Sequence, residues 1–301
     1  MKFMATFSEV FYCKRQLDNT VAAMLYYLRK DDTMKYNPSQ AVKENIPCPE
    51  PQRYNMVVKS NSLIQQSRFS LSTQQQKIVL FIISQIEPSD EELKLYSFKI
   101  TDFCNVCGIE PQGNMYNLLK RQIKSISDKS LWIETEQGQE TLVRWIEKPY
   151  IDKKSGTIQI KLDEDMKPYL LQLKEKFTEY ELIYTLNFKS KYSIRLYEFL
   201  KSIHYNKMQA YTQTLPIDKF QKVMDSTYAN FKDFHTRALK PAQKEINEYS
   251  DILFNYELVS DGRRTTAIKI TVSPKSAGTK YETSITNELL LEERRGNGNG
   301  E

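Results

Sequence analysis

Phe231, Phe234, Ala238, Ala242 and Ile246 recur at helical spacing, and between them stand Lys232, Thr236, Arg237, Lys240, Gln243 and Lys244. On a helix this makes one apolar face and one outer face of cations beside a hydroxyl. The chemistry open to that face is hydrogen bonding to O6 and N7 of guanine by Arg or Lys, base-edge or methyl contact by Thr, and ion pairing with phosphate. Arg237 is the best single candidate for reading a base, flanked by Lys232, Thr236, Lys240 and Lys244. His235 has two readings, packing or contact.

Other chemistries lack their parts. A rolling-circle nicking enzyme needs metal-binding histidines beside a tyrosine, and the only histidines are His204 and His235. No phosphate-binding Gly-rich loop of the ATPase type occurs. Cys104 and Cys107 form a C-x-x-C pair, but Cys13 and Cys48 give no second pair, and Cys107 falls in register with the apolar Met224. Asp163, Glu164 and Asp165 suit the start of a helix, where carboxylates meet its dipole. No catalytic residue, metal or cofactor is expected.

The outer face needs a scaffold, and an internal repeat supplies one. Ser72 to Ile86 lies in register with Lys189 to Ile203, and Phe98 to Phe103 with Leu215 to Phe220. After a short insertion Leu119, Lys120, Ile126, Ser130, Trp132 and Ile133 fall on Leu239, Lys240, Ile246, Ser250, Ile252 and Leu253. The repeat is too long for a solenoid unit and fits a duplicated small domain.

Each copy reads as helix, short strand, helix, helix and hairpin, the order of a winged helix-turn-helix. The fold class is therefore α+β, two tandem winged helix-turn-helix domains related by duplication. In the second copy Pro241 interrupts the third helix. Its wing turns at Asp261-Gly262, which puts Arg263 and Arg264 at the tip. The third helix of the first copy presents Asn114, Asn117, Lys120, Arg121 and Lys124. Its hairpin at Gln137-Gly138 carries Glu134, Glu136 and Glu140, which repel phosphate, so the copies are expected to divide their tasks. Lys189, Lys191 and Arg195 add cations to the second copy's first helix, with Arg195 assigned to a phosphate.

Three segments now carry a resemblance: Val57 to Arg68 (VVKSNSLIQQSR), Tyr192 to Leu200 (YSIRLYEFL) and Leu239 to Asn247 (LKPAQKEIN). They resemble the signature segments of the RepB-type plasmid replication initiators, the iteron-binding family, over roughly Met56 to Pro274. The resemblance implies binding to repeated duplex sites at a plasmid origin, opening of that origin, and recruitment of a host replication initiator and helicase. It also implies a dimer that represses its own promoter and so bears on plasmid copy control. In that family the third helix of the second domain reads the repeat, and the first domain dimerises and touches a neighbouring groove. Where family members often carry consecutive arginines, this chain has His235-Thr236-Arg237. A winged-helix transcriptional repressor without initiator activity is the main alternative.

The expected organisation is an extension and Pro-containing linker over 1–55, winged helices over 56–175 and 176–274, and a disordered tail over 275–301. With 301 residues, 27% charged, and a net charge of +5, the composition permits nucleic-acid binding without requiring it. The apolar runs are too short to span a bilayer, and four cysteines fit a reducing compartment, so a bacterial cytoplasmic protein is expected.

Overall fold

The computed structural model describes residues 50–110, 114–135, 138–204, 209–262 and 264–296. Most of the expected extension and linker, with Cys13 and Cys48, lies outside these residues, as do Glu136, Gln137 and Arg263. Gln52–Glu301 makes one compact unit.

In the first winged helix, β1 (Met56–Ser60) leads through a short helix to the two-residue strand β2 (Ser67–Arg68). Ser72 then starts α1 (Thr73–Ile83) with a capping box, its hydroxyl accepting from the Gln75 amide while the Gln75 side chain accepts from the Ser72 amide. Strand β3 (Leu95–Lys99) runs into α2 (Ile100–Cys107), which stops on Gly108 at φ 61°, a left-handed cap. A side chain there would meet the Leu291 backbone, so glycine is needed twice over. Helix α3 (Met115–Ser127) buries Leu119, Ile123 and Ile126.

Two hairpins follow, β4 (Ser130–Glu134) with β5 (Glu140–Arg144), and β6 (Ile146–Asp152) with β7 (Thr157–Leu162). Strand β7 pairs β3, whereas β4 pairs β2.

The second copy begins with α4 (Lys191–Ile203), capped by Ser190. It continues through β9 (Tyr211–Pro216), α5 (Ile217–Val223) and α6 (Phe231–Phe234), the last capped by Asn230. A π turn (His235–Leu239) joins α6 to α7 (Lys240–Tyr249). The wing is β10 (Ile252–Asp261) with β11 (Arg264–Pro274), and β11 also pairs β9. Both copies thus share one sheet plan, in which the strand after the first helix pairs with the second wing strand. The expectation of two winged helices holds.

Four expectations need correction. The wing of the first copy is β6–β7 and not the hairpin at Gln137-Gly138, because β7 occupies the place that β11 holds in the second copy. The sequence register of Trp132 with Ile252 therefore does not correspond in topology. A boundary at residue 176 is also wrong, since β8 (Phe177–Glu181) pairs along its length with β1 and belongs to the first half.

Over 275–296 the expected tail is no disordered segment. Residues Ala277–Gly296 form α8, whose Leu291 is fully buried and whose Asn287 donates to the Tyr249 carbonyl at 2.8 Å. The Arg53 guanidinium, itself buried, pairs with Glu288 and with Glu292 at 2.9 Å and donates to the Val106 carbonyl at 2.9 Å. Specific polar partners hold a helix that apolar content alone would not.

Helix α4 is not a cationic surface. Ser193, Arg195, Glu198 and Ser202 are buried with the apolar residues, because the helix lies between the two winged helices. Glu198 meets Lys59 and the Tyr180 hydroxyl, while Lys201 pairs with Asp251 at 2.7 Å. Arg195 donates through Nε to the Val223 carbonyl at 2.5 Å, through a second nitrogen to the Ser67 carbonyl, and covers the Phe69 ring at 4.6 Å. It cannot grip a phosphate.

Candidate nucleic-acid interface

The third helix of the second copy is continuous from Phe231 to Tyr249, and Pro241 explains its irregularity. Pro241 has no N–H and its ring crowds the preceding turn. The chain adds one residue to that turn, so the Lys240 amide donates to the His235 carbonyl five residues back. Phe234, Ala238, Leu239, Ala242 and Ile246 are buried beneath it. Lys232, Thr236, Arg237, Lys240 and Lys244 all stand exposed on the outer side. The Thr236 hydroxyl donates to the Lys232 carbonyl at 2.9 Å, which leaves its lone pairs and methyl free to face a ligand. Thr236 and Arg237 sit within the π turn itself.

His235 is a packing residue. Its ring stacks on Phe231, its Nε2 lies 2.9 Å from the Tyr256 hydroxyl, and burial with nearby Lys240 lowers its pKa. Gln243 likewise turns to the sheet, donating to the Phe254 carbonyl at 3.1 Å.

Arg264 is exposed at the wing tip. Lys189 is exposed, its backbone amide held by Glu245, and Lys191 is half-buried with its ammonium over the Tyr192 ring at 5.0 Å.

In the first copy Asn117, Lys120, Arg121 and Lys124 are exposed on α3, with Lys124 partly neutralised by Asp128 at 2.7 Å. This face and β6 line a groove of about 760 Å³ that includes Tyr116, Asn117, Lys120, Lys124, Pro149 and Ile151. Sequence reasoning missed the cations of the β6–β7 hairpin. Lys148, Lys153 and Lys154 are exposed on the true wing, and Lys148 lies over Tyr150 at 5.0 Å. The available signal was Ile158, Ile160 and Leu162, all fully buried, which mark β7 as the central strand of a sheet.

The acidic hairpin has a different job. Glu134 pairs with Lys222 of α5 at 3.1 Å, and Glu140 pairs with Arg68. Glu134 braces the two halves and Glu140 ties β5 to β2 within the first, so they do not repel phosphate from a first-copy wing.

The thiols of Cys104 and Cys107 are buried and pushed up to about 11 and about 12, chiefly by desolvation, as suits core residues. No group of three or more metal-ligating side chains occurs among the described residues. None of the described helices is long and apolar enough to cross a membrane.

Two winged helices with cationic third helices define a tandem winged-helix protein of the nucleic-acid-binding class. Residues 56–201 match the family model described as "Initiator Replication protein, WH1", and residues 216–272 match "Initiator Rep protein, WH2". The chain belongs to this family of replication initiator proteins. The first model reaches into α4, in keeping with the burial of that helix against both halves.

A replication initiation protein of Escherichia coli is 29% identical over 217 residues, covering 69% of this chain and 66% of that protein. The chain thus spans just under two thirds of that relative's length. The crystal structure of the Pi initiator protein in complex with iteron DNA superposes with a TM-score of 0.60 at 18% identity, over 74% of this chain and 99% of that one. At that identity the likeness shows the fold. Domains 2 and 3 of RctB give a TM-score of only 0.40, at 10% identity over 69% of this chain and 85% of that one.

Proposed function

We propose that this protein initiates plasmid replication by binding repeated duplex sites, the iterons of an origin, with both winged helices. The observation that carries the reading is the exposed set Lys232, Thr236, Arg237, Lys240 and Lys244 on a third helix whose other face is core. The Pi initiator, which shares the fold, was crystallised on iteron DNA, and that supports the choice of ligand. Base reading falls to the second copy. The first copy, with its lysine-bearing wing beside α3, holds the backbone of a neighbouring groove.

Bound in this way, the protein promotes opening of the origin and recruits a host replication initiator and helicase. It works as a binding protein and not as an enzyme. A dimer represses the protein's own promoter. The exposed cross-strand neighbours Trp132 and Leu142, on a sheet whose β5 edge has no strand partner among the described residues, favour the first copy as the dimer surface.

Selection of bound duplex from a random pool, followed by complementation of a plasmid that lacks its initiator, tests the proposal. A repeated site recovered from the pool and restored replication are expected. Sequence-specific binding without complementation would instead assign a repressor.

A further inference from the structure

We propose that His235 is a positioning residue which, through Tyr256, fixes the angle between the second wing and the Thr236–Arg237 turn and so sets the strength of sequence preference. The inference rests on the reading of that turn as the base-reading element.

Three side chains tie the third helix to β10. Asn247 accepts from the Phe254 amide at 2.6 Å and donates to its carbonyl at 3.0 Å, and Gln243 donates to the same carbonyl. Both grip the wing at its root. The third tie is His235 to Tyr256, the outermost of the three. Past Tyr256, residues Glu257 to Asp261 are all exposed, so Tyr256 is the last residue of β10 to pack against the body of the domain.

The rings form a continuous row. Phe231 stacks on His235 with centroids 5.9 Å apart, His235 meets Tyr256 edge-on at 5.7 Å, and Tyr256 stacks on Phe254 at 5.6 Å. Phe254 is fully buried, which anchors the row in the core. Within the row His235 opens the π turn, because its carbonyl takes the Lys240 amide and the next two residues are Thr236 and Arg237.

A shift of the imidazole therefore moves the base-reading side chains relative to a wing that carries Arg264. Both His235 and Tyr256 are half-buried, while Thr236 and Arg237 stand on the outer face. The pair acts through its neighbours. Base discrimination depends on bidentate geometry that a small displacement spoils, whereas phosphate attraction tolerates it.

The test uses the full chain with His235→Ala, His235→Gln and Tyr256→Phe. Affinity is measured across a salt series for the duplex selected from the random pool, its single-base variants and random duplex, with Tm followed in parallel. The expected result is a roughly tenfold loss in the specific-to-random ratio for His235→Ala and Tyr256→Phe, the size of one net hydrogen bond. Random-duplex affinity, salt slope and Tm stay near wild type, and His235→Gln, whose amide reaches the phenol, recovers most of the ratio. The double variant loses no more than either single one, as coupled residues do.

An unchanged ratio in Tyr256→Phe, or an equal loss on random duplex, would overturn the proposal. If His235→Ala lowers Tm, Tyr256→Phe decides, since it keeps the ring and removes only the hydroxyl. A wild-type ratio near one would instead sink the underlying assignment of base reading.

Discussion

The guanidinium of Arg195, in the first helix of the second winged helix, donates to the main-chain carbonyl of Ser67 in the first. It also holds the Val223 carbonyl, and burial pulls its pKa down to about 10, still well above neutrality. The two halves are therefore pinned by a buried cation. Arg195→Ala leaves both carbonyls unpaired and should cost roughly 3 kcal/mol in urea unfolding. The salt slope of DNA binding should stay unchanged. A slope lowered by about one, with stability intact, would return Arg195 to phosphate binding.

Arg53 plays the corresponding part for the C-terminal helix. Removing it takes the counter-charge from Glu288, which is almost fully buried, and cuts the ties from α8 to the end of α2. Arg53→Ala should cost ~3 to 5 kcal/mol, or roughly 10 °C in Tm for a domain of this size. Hydrogen exchange across Ala277–Gly296 should rise in the same variant. Unaltered exchange there would show that α8 is held by other contacts.

Lys77 gives the protein an alkaline signature. Its ammonium donates to the Leu186 carbonyl at 2.6 Å, and burial pulls its pKa from 10.5 down to about 8. Between those values the unfolded chain binds more protons than the folded one, so this group makes stability rise with pH. Cys104 and Cys107 act in the opposite sense, because their thiols ionise first in the unfolded chain. Lys77→Met isolates the amine. From pH 7 to pH 10.5 the variant's stability relative to wild type should fall by roughly 3 kcal/mol, since each tenfold difference in acidity between the two states is worth about 1.4 kcal/mol. A difference that stays flat with pH would contradict the burial of the charge.

The first-copy wing is tested by charge removal. Lys153→Ala with Lys154→Ala should lower the log-log salt slope by about two and weaken selected and random duplex alike. Glu134→Gln, on the brace to Lys222, should leave DNA affinity nearly unchanged. Tighter binding by Glu134→Gln would restore the acidic hairpin as the DNA-facing wing.

Much of this was legible in the sequence where the information is local. Helical spacing fixed the outer faces of both third helices, so that Lys232, Thr236, Arg237, Lys120 and Arg121 all stand where periodicity puts them. The repeat placed the helices and the strand-to-helix junctions at Phe98 and Leu215. Strand pairing is nonlocal, and the choice between β4–β5 and β6–β7 as the wing depends on which of them β3 joins. Arg195 looked like a surface residue because buried polar groups are recognised by their partners, and Ser67 and Val223 lie far away in sequence. The expected disorder after Pro274 failed for the same reason, since Tyr249 and Arg53, the partners of Asn287 and Glu288, lie far away in sequence.

The functional reading depends above all on two cationic third helices engaging duplex DNA together. Hydroxyl-radical footprinting of the full chain on a single selected site is the sharpest check. Two protected stretches on one face are expected, about one helical turn or roughly 34 Å apart. Arg237→Ala should erase one of them, and Lys120→Ala with Arg121→Ala the other. A single protected groove, erased by Arg237→Ala and indifferent to the Lys120 and Arg121 changes, would refute joint engagement.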